Sequence, residues 1–524
     1  MKKILIKIIT LMLCAVLCLS TLIGCAGGPK VKLPDYTGEE FKFFAYTSPT
    51  SGEWVKDGEI YYTEDYQTVE RYKEYKESGL NILMLTGDSG FTNEGPWKES
   101  TAYKCMTNAY AAGIDKIILD DIRLTTLVYS QSLVGGEGAI YSPEDADGDG
   151  VSDALYRDVK SYLETYYKQP GFYGIRLGDE PDCKYQESFG HVYRAVTAAS
   201  KKLGMEDIYI FLNLFPHFAP GENTFSEEPT STFEQAYMSY LEGFLETTRA
   251  PRLCVDIYFF KGYGMTRGNY ACLQLFERAC KNYGARTTFA LQSYEGWSGN
   301  TVNYDLMDRA MMNFEMNSCI GMGMTEFAYY TYMPGKSYST TGTKALERGS
   351  FLTRNGEKTN IYYYAQETMA IAQKLAPIIT NYKFQGSKLY TCDDPWTQDN
   401  PIVANFDYTN YFRSSVDEKT NTAIEFDNSY KFKKINKVNI DNDIAFVTEL
   451  YDQTNDLYMY MAQNVIDPRS GALGRTDMNV SIDFGDYEWV AQIEDGDVTY
   501  VKLEDGIYNK ALSAGYAVYL VPLV

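Results

Sequence analysis

Between residues 41 and 332 the chain repeats one pattern: a short apolar run, then a longer stretch with apolar residues at helical spacing. The runs are FKFFAY (41–46), LNILMLTGD (80–88), DKIILDD (115–121), GFYGIRLGDEP (171–181), DIYIFLNLFP (207–216), RLCVDIYFF (252–260), RTTFALQSYEG (286–296) and IGMGMTEFAYYTY (320–332). Stretches such as DALYRDVKSYLETYY lie between them, and IYYYAQETMAIAQKLAPIIT closes the series. Continuous apolar strands alternating with amphipathic helices predict a parallel sheet covered on its faces. Eight such units predict a (β/α)8 TIM barrel. An open doubly wound sheet is the competing architecture, but no Gly-rich phosphate loop follows an early strand.

After about residue 383 the period changes from 3.6 to 2. LYTCDD, AIEFD, IAFVTELYD, LYMYMAQNV, VSIDFG, EWVAQIED, VTYVKLED and AGYAVYLVPL read as short strands separated by turn residues. An all-β C-terminal sandwich is expected over 384–524, after a barrel over 39–383. No Pro- or Ser-rich linker separates the two, so they are expected to pack together.

The first 25 residues stand outside this pattern. Three lysines in MKKILIKIIT precede the apolar LMLCAVLCLSTLIGC, which is a secretory signal. Leu22-Ile23-Gly24-Cys25 resembles the lipobox of bacterial lipoproteins. That resemblance implies cleavage before Cys25, lipid on its sulfur, a short tether over 26–38, and a location on the extracytoplasmic face of a bacterial cell membrane. The formal net charge of −22 argues against nucleic acid or anionic lipid surfaces as partners. The cysteines beyond Cys25 are scattered, odd in number and without a CxxC, so neither a disulfide framework nor a zinc site is expected. With only two histidines, His191 and His217, chemistry must rest mainly on carboxylates. The 47 tyrosines supply rings that stack on sugar faces, although most must serve the core.

In such barrels function collects at the C-terminal ends of the strands. Asp179 and Glu180 end strand 4, Asn213 ends strand 5, Asp256 and Tyr258 end strand 6, Gln292 and Glu295 end strand 7, and Tyr329 lies on strand 8. Glycosidic bond cleavage needs a carboxylic acid for the leaving oxygen and usually a second carboxylate. The strand-4 Glu-Pro, with acidic, aromatic and amide residues at later strand ends, resembles the large barrel superfamily of retaining glycoside hydrolases. The resemblance implies Glu180 as acid/base and Glu295 as nucleophile. That superfamily carries Asn before the acid, whereas this chain has Asp179. An Asp-Glu pair at strand 4 is similar to glycoside hydrolase family 123, where the Asp orients a 2-acetamido group that attacks in place of a nucleophile. Asn213, Asp256, Tyr258, Gln292, Trp297 and Tyr329 are expected to bind sugar. The bland alternatives are that Asp179-Glu180-Pro181 caps a helix and that the others close the rim or fill the core.

Residues 144–156, EDADGDGVSDALY, place Asp145, Asp147, Asp149 and Asp153 around Gly150. The spacing resembles an EF-hand calcium loop, with Tyr156 where the pattern has Glu. A structural Ca²⁺ is expected there, and no cofactor for catalysis. The expected function is a surface-anchored glycosidase acting on an oligo- or polysaccharide. The alternative is a barrel that binds carbohydrate without cleaving it.

Overall fold

The computed structural model describes residues 29–52, 54–56, 59–62, 64–87, 95–217, 225, 232–261, 264–265, 268–298, 301–304, 306–334, 349–391, 422–442, 444–469 and 476–524. Cys25 and the signal segment lie outside the described residues, as do Asp88 and the side chain of Trp297.

Eight parallel strands form one sheet: β1 (Lys42–Ala45), β2 (Leu83–Leu85), β3 (Ile117–Asp120), β4 (Phe172–Asp179), β5 (Tyr209–Leu214), β6 (Arg252–Asp256), β7 (Arg286–Gln292) and β8 (Glu326–Tyr330). Their order is β1-β8-β7-β6-β5-β4-β3-β2. The ring closes between its ends: the backbone amides of Asn81 and Ile82 donate to the Phe43 carbonyl, and the Asn81 side chain accepts from the Phe43 amide. Around the sheet run α1 (Val69–Glu77), α2 (Thr101–Ala111), α3 (Ile122–Val128), α4 (Asp153–Glu164), α5 (Gln186–Lys202), α6 (Phe233–Thr248), α7 (Asn269–Asn282), α8 (Arg309–Gly321) and α9 (Asn360–Ile379). Side-chain oxygens start several of them, Thr68 for α1, Ser152 for α4 and Asp308 for α8, each accepting an amide that the first turn leaves unpaired.

Alternate residues of each strand face the barrel axis. Phe44, Ile82, Met84, Ile118, Phe211, Cys254, Ala290 and Ala328 fill its middle. Below them sits Glu326, 1 % exposed. Its carboxylate takes Lys42 Nζ at 2.6 Å, the Tyr209 hydroxyl at 2.7 Å and Arg252 Nε at 3.3 Å. Burial pushes this acid up, but Arg252 and Lys42 outweigh burial and hold it below the ordinary value. The strand-8 acid is thus the barrel's ionic floor, far from the mouth.

The C-terminal strands are β9 (Lys383–Thr391), β10 (Lys437–Ile440), β11 (Ile444–Asp452), β12 (Leu457–Asn464), β13 (Met478–Asp483), β14 (Trp489–Glu494), β15 (Asp497–Lys502), β16 (Ile507–Leu512) and β17 (Ala517–Leu523). A six-stranded antiparallel sheet, β9-β11-β12-β17-β14-β15, faces a three-stranded one, β10-β13-β16. Between them lie Val447, Tyr460, Ala462, Val480, Ile482 and Leu520. The other face of the larger sheet packs on the barrel helices. Phe446 meets Tyr270 with ring centroids 4.6 Å apart, and Gln463 bonds both Ser318 and the Phe314 carbonyl. A Cβ on Gly321 would lie 2.4 Å from Met461 Sδ, so a glycine lets helix and sheet close up. Two-sided burial explains why β11 opens on the unbroken apolar run IAFV. AIEFD, read as a strand, holds only isolated bridge positions, while the polar KVNI and IYNKAL pair as strands. Residues 29–38 lie against this domain: the Leu33 amide donates to the Tyr500 hydroxyl, and the Tyr36 hydroxyl donates to Asp452.

Replacing Glu326 by Gln strands Lys42 and Arg252 at the floor. Breaking a buried ion pair from one side costs about 3–5 kcal/mol. Chemical denaturation of Glu326→Gln should show that loss with no new residue introduced at the mouth.

Candidate active site

Strand β4 does not keep regular alternation. Its register with β5 shifts between Arg176 and Gly178, which is a bulge. Residues three apart, Arg176 and Asp179, therefore both face the axis. Gly178 is required at that point, because a Cβ there would lie 2.5 Å from the Phe189 ring. Next comes Glu180 with φ 45°, a left-handed backbone that residues other than glycine seldom adopt. Its amide still donates to the Asn213 carbonyl, so pairing with β5 continues through the turn.

Asp179 is held by three donors. Tyr46 Oη lies 3.0 Å and Asn213 Nδ2 2.9 Å from Oδ1, and Arg176 Nη2 lies 2.9 Å from Oδ2. Arg176 also reaches Asp120 at 2.9 Å. Tyr129 clamps the backbone here, its hydroxyl donating to the Asp179 carbonyl and accepting from the Asp179 amide. Three donors fix the Asp179 carboxylate in place at the mouth.

Asn213 Nδ2 also donates to Asp256 Oδ1 at 3.1 Å. The Asp256 carboxyl is in turn hydrogen-bonded to the Glu180 carboxyl. Two carboxyls bond each other only by sharing a proton. Burial first, then the charges of Asp256 and Asp179, push Glu180 far above the carboxylate range. Burial and Asp179 also raise Asp256, but hydrogen bonds from Asn213, Glu180 and its own amide oppose the rise. Among the described residues the donors crowd round Asp256, which favours the proton on Glu180.

Tyrosine rings wall this group. Tyr46 and Tyr330 lie 5.6 Å apart, Tyr294 and Tyr330 4.9 Å, and Tyr258 and Tyr294 5.8 Å, centroid to centroid. Lys261 Nζ stands 5.8 Å from the Tyr258 ring, with Asp256 the leading charge acting on it. His217 is buried, and burial together with Lys261 pushes it down to about 3, so it is neutral and no proton donor at ordinary pH.

The structure thus brings together Asp179, Glu180, Asn213, Asp256 and Tyr258. Two expectations need correction. Tyr329 is 1 % exposed and turned outward, against Phe351 at 5.3 Å; its neighbour Tyr330 faces the pocket. Gln292 spends its amide on the backbone of Phe260, accepting from the nitrogen at 3.3 Å and donating to the carbonyl at 3.0 Å, so it ties a loop rather than a ligand. Glu295 is half-buried, its amide bonded to the Gly349 carbonyl, and it is not among the groups that act on the Glu180–Asp256 pair. Arg176, Tyr46 and Lys261 were not foreseen, and Tyr330 was passed over for its neighbour Tyr329. The parity of strands β1 and β8 marks the two tyrosines, whereas Arg176 depends on the bulge.

Away from the mouth, the Asp145, Asp147 and Asp149 carboxylates lie within 4.8 Å of one another. Asp145 accepts from the amides of Gly148, Asp149 and Gly150, which lower its pKa. Asp153 accepts from the Ala146 amide.

No family model matches the chain, and no curated protein matches it. Among solved structures, similar ones are glycoside hydrolases. A GH30 endoxylanase from Clostridium papyrosolvens is 11 % identical, with 94 % of this chain and 98 % of that one covered at a TM-score of 0.36. An Anoxybacillus alpha-amylase is 11 % identical over 92 % and 98 % at 0.43. A GH27 β-L-arabinopyranosidase from Geobacillus stearothermophilus is 10 % identical over 93 % and 97 % at 0.47. At these scores the likeness carries no functional argument, and the reading rests on the carboxylates themselves.

Proposed function

We propose that this chain is a glycoside hydrolase with Glu180 as general acid/base. The observation that carries the reading is the carboxyl pair Glu180–Asp256, sharing one proton inside a tyrosine-walled barrel mouth. A carboxylic acid kept protonated at neutral pH is what a glycosidic leaving oxygen needs. When Glu180 gives up its proton to the leaving oxygen, negative charge builds on the pair. That favours the positive charge developing at the anomeric carbon, and Asp179 is already fixed beside it. The tyrosine rings offer sugar faces a stacking surface, and Asn213 helps hold the two acids in place.

Glu180 and Asp256 are in direct hydrogen bond, closer than the ~5–5.5 Å of an acid and nucleophile flanking one anomeric carbon. Asp256 is therefore the acid's partner, and the attacking group comes from elsewhere. Glu295 is one candidate. The other is a 2-acetamido group of the substrate, oriented by Asp179; the one-third-exposed Asp179 beside the acid favours it. The rival reading is a barrel that only binds glycan. We further propose lipid anchoring through Cys25, with the described chain on the extracytoplasmic side, and a structural Ca²⁺ held by Asp145, Asp147 and Asp149 next to Asp153.

The first test is hydrolysis of aryl glycosides with and without a 2-acetamido group. Glu180→Gln should lower kcat by about 10²–10⁴-fold. Preference for 2-acetamido sugars selects substrate assistance; no turnover with glycan binding intact selects the binding barrel.

Activity should follow a bell in pH, with both limbs belonging to the pair. Removing the Asp256 charge lowers the cost of ionising Glu180. In Asp256→Asn the alkaline limb should therefore move to lower pH by about one unit or more, as pH–rate profiles would show. Because a raised acid loses folded-state stability as pH climbs past its ordinary value of 4.5, Glu180→Gln should also melt higher than the parent, by a margin that grows with pH.

For the acidic loop, calcium should raise the melting temperature of the parent protein but not of Asp147→Asn, measured with and without chelator.

A further inference from the structure

We infer that the β-sandwich is a working part of the catalytic centre, with Arg469 as a positioning residue that holds the Lys261 ammonium beside Asp256. The inference rests on the glycosidase reading for its consequence, though not for its geometry.

The chain after β6, residues 257–261, carries Tyr258 and Lys261 into the mouth. Side chains from the barrel tie its backbone at three points. Asn269 Nδ2 donates to the Tyr258 carbonyl at 3.0 Å, Glu315 accepts from the Phe259 amide, and Gln292 bonds both backbone groups of Phe260. Phe260 and Lys261 also pair as a short strand with Gly264–Met265 and with Tyr304, and a further tie comes from the other domain. Arg469 Nη1 donates to the Lys261 carbonyl at 2.9 Å, and its guanidinium lies 5.4 Å from the centre of the Phe260 ring. Asp467 grips the same guanidinium as a fork, Nε to Oδ1 at 2.9 Å and Nη2 to Oδ2 at 2.7 Å. A two-point grip fixes the plane of the group, and with it the direction of the bond to Lys261.

Lys261 is 7 % exposed. The groups facing it are Asp256 from β6, Glu315 from α8, the neutral His217 after β5 and the Tyr258 ring. Burial brings the amine down to about 8, opposed by Asp256 and Glu315, so it is largely a cation at neutral pH. Asp256, not Glu180, is the mouth carboxyl that acts on it. Arg176 is occupied by Asp120 and Asp179 on the other side. A positive charge on the Asp256 side favours the anion there and leaves the shared proton on Glu180. If the 257–261 backbone slackens, the lysine withdraws, the two acids become more nearly equivalent and the fully ionised pair becomes harder to reach.

The test is an infrared titration of the full-length chain without substrate. It is run in the Glu180→Gln background, where the carboxylic C=O band that remains in the pair is that of Asp256, raised only to about 7 and so titrating while Lys261 is still a cation. The midpoint at which that band vanishes on raising pH should move up by about one unit in Lys261→Met, since a cation beside the pair is lost. It should move up, by less, in Arg469→Ala, and stay nearer the parent value in Arg469→Lys. In chains that keep Glu180, the acid limb of the pH–rate profile should move with it, while KM for an aryl glycoside changes little. If Arg469→Ala does not fold, Asp467→Asn loosens the same guanidinium from its far side and takes its place. A band that stays at the parent midpoint in the Arg469 or Asp467 variant overturns the inference, whatever Lys261→Met does. Because the band is read without turnover, the two readings separate. A shift as expected, with no hydrolysis by the chain that keeps Glu180, sinks the glycosidase reading alone. Hydrolysis that depends on Glu180, with an unmoved band, sinks this inference alone.

Discussion

A carboxylate costs several kcal/mol to bury unless something cancels its charge. The inside of this barrel is arranged around that constraint. Among the described residues, Glu326 reaches the axis at the floor, and Asp120, Asp179, Glu180 and Asp256 reach it towards the mouth. At the floor the charge is cancelled by Lys42 and Arg252, and nothing there can move a proton usefully. Asp120 and Asp179 share Arg176. The remaining two share one proton, and the single negative charge left on the pair is met by Lys261. Chemistry is left where the fold settled part of its charge with a mobile proton.

The rest of the architecture serves that difference. Eight parallel strands bring alternate residues to one axis, so acids far apart in sequence converge at one end. Asn213 works because β5 lies between β4 and β6: one amide nitrogen reaches both Asp179 and Asp256. The tyrosines exclude water from the shared proton and strengthen every charge interaction there. The sandwich covers α7 and α8, and through Arg469 it reaches the segment that lines the mouth. Its six-stranded sheet is apolar on both faces because one face is the domain's own core and the other is the barrel's.

The barrel was legible because its strands are buried on both sides and read as unbroken apolar runs. The sandwich was legible in outline only. KVNI and IYNKAL each carry an Asn and a Lys within a few residues and look like loops, while AIEFD alternates but finds no ladder. At the site, strand ends could be picked out from the acids they carry, but parity could not be seen in an apolar run. Tyr329 and Tyr330 are equivalent in EFAYY until one counts from Glu326, which faces the axis; then Ala328 and Tyr330 face it too, and Tyr329 faces Phe351. Gln292 has the right parity and was still misjudged, because the loop whose backbone takes its amide arrives from β6. Asp256 was legible as a residue of the mouth but not as the partner of Glu180, since pairing across two strands depends on their stagger.

The adjacent acids of GFYGIRLGDEPD pose the sharpest geometric demand. In a regular strand neighbours point to opposite faces, so Asp179 and Glu180 could not both serve one pocket. The bulge at Gly178 turns Asp179 to the axis, and the left-handed backbone of Glu180 brings the next side chain back to the same side. Such a conformation costs about 1–3 kcal/mol and persists only when the surroundings impose it. Here they do: Tyr129 holds Asp179 at both backbone atoms, Asn213 takes the Glu180 amide, and Tyr240 bonds the Pro181 carbonyl. A helix cap would need none of this, because capping uses ordinary extended backbone and one side-chain oxygen. The α5 helix that follows begins at Gln186, beyond any reach of Asp179 as its cap, and its N-cap position, Tyr185, makes no side-chain bond. The two carboxyls stand together because the backbone is bent to face both into one dry pocket, where the charge of one keeps the proton on the other.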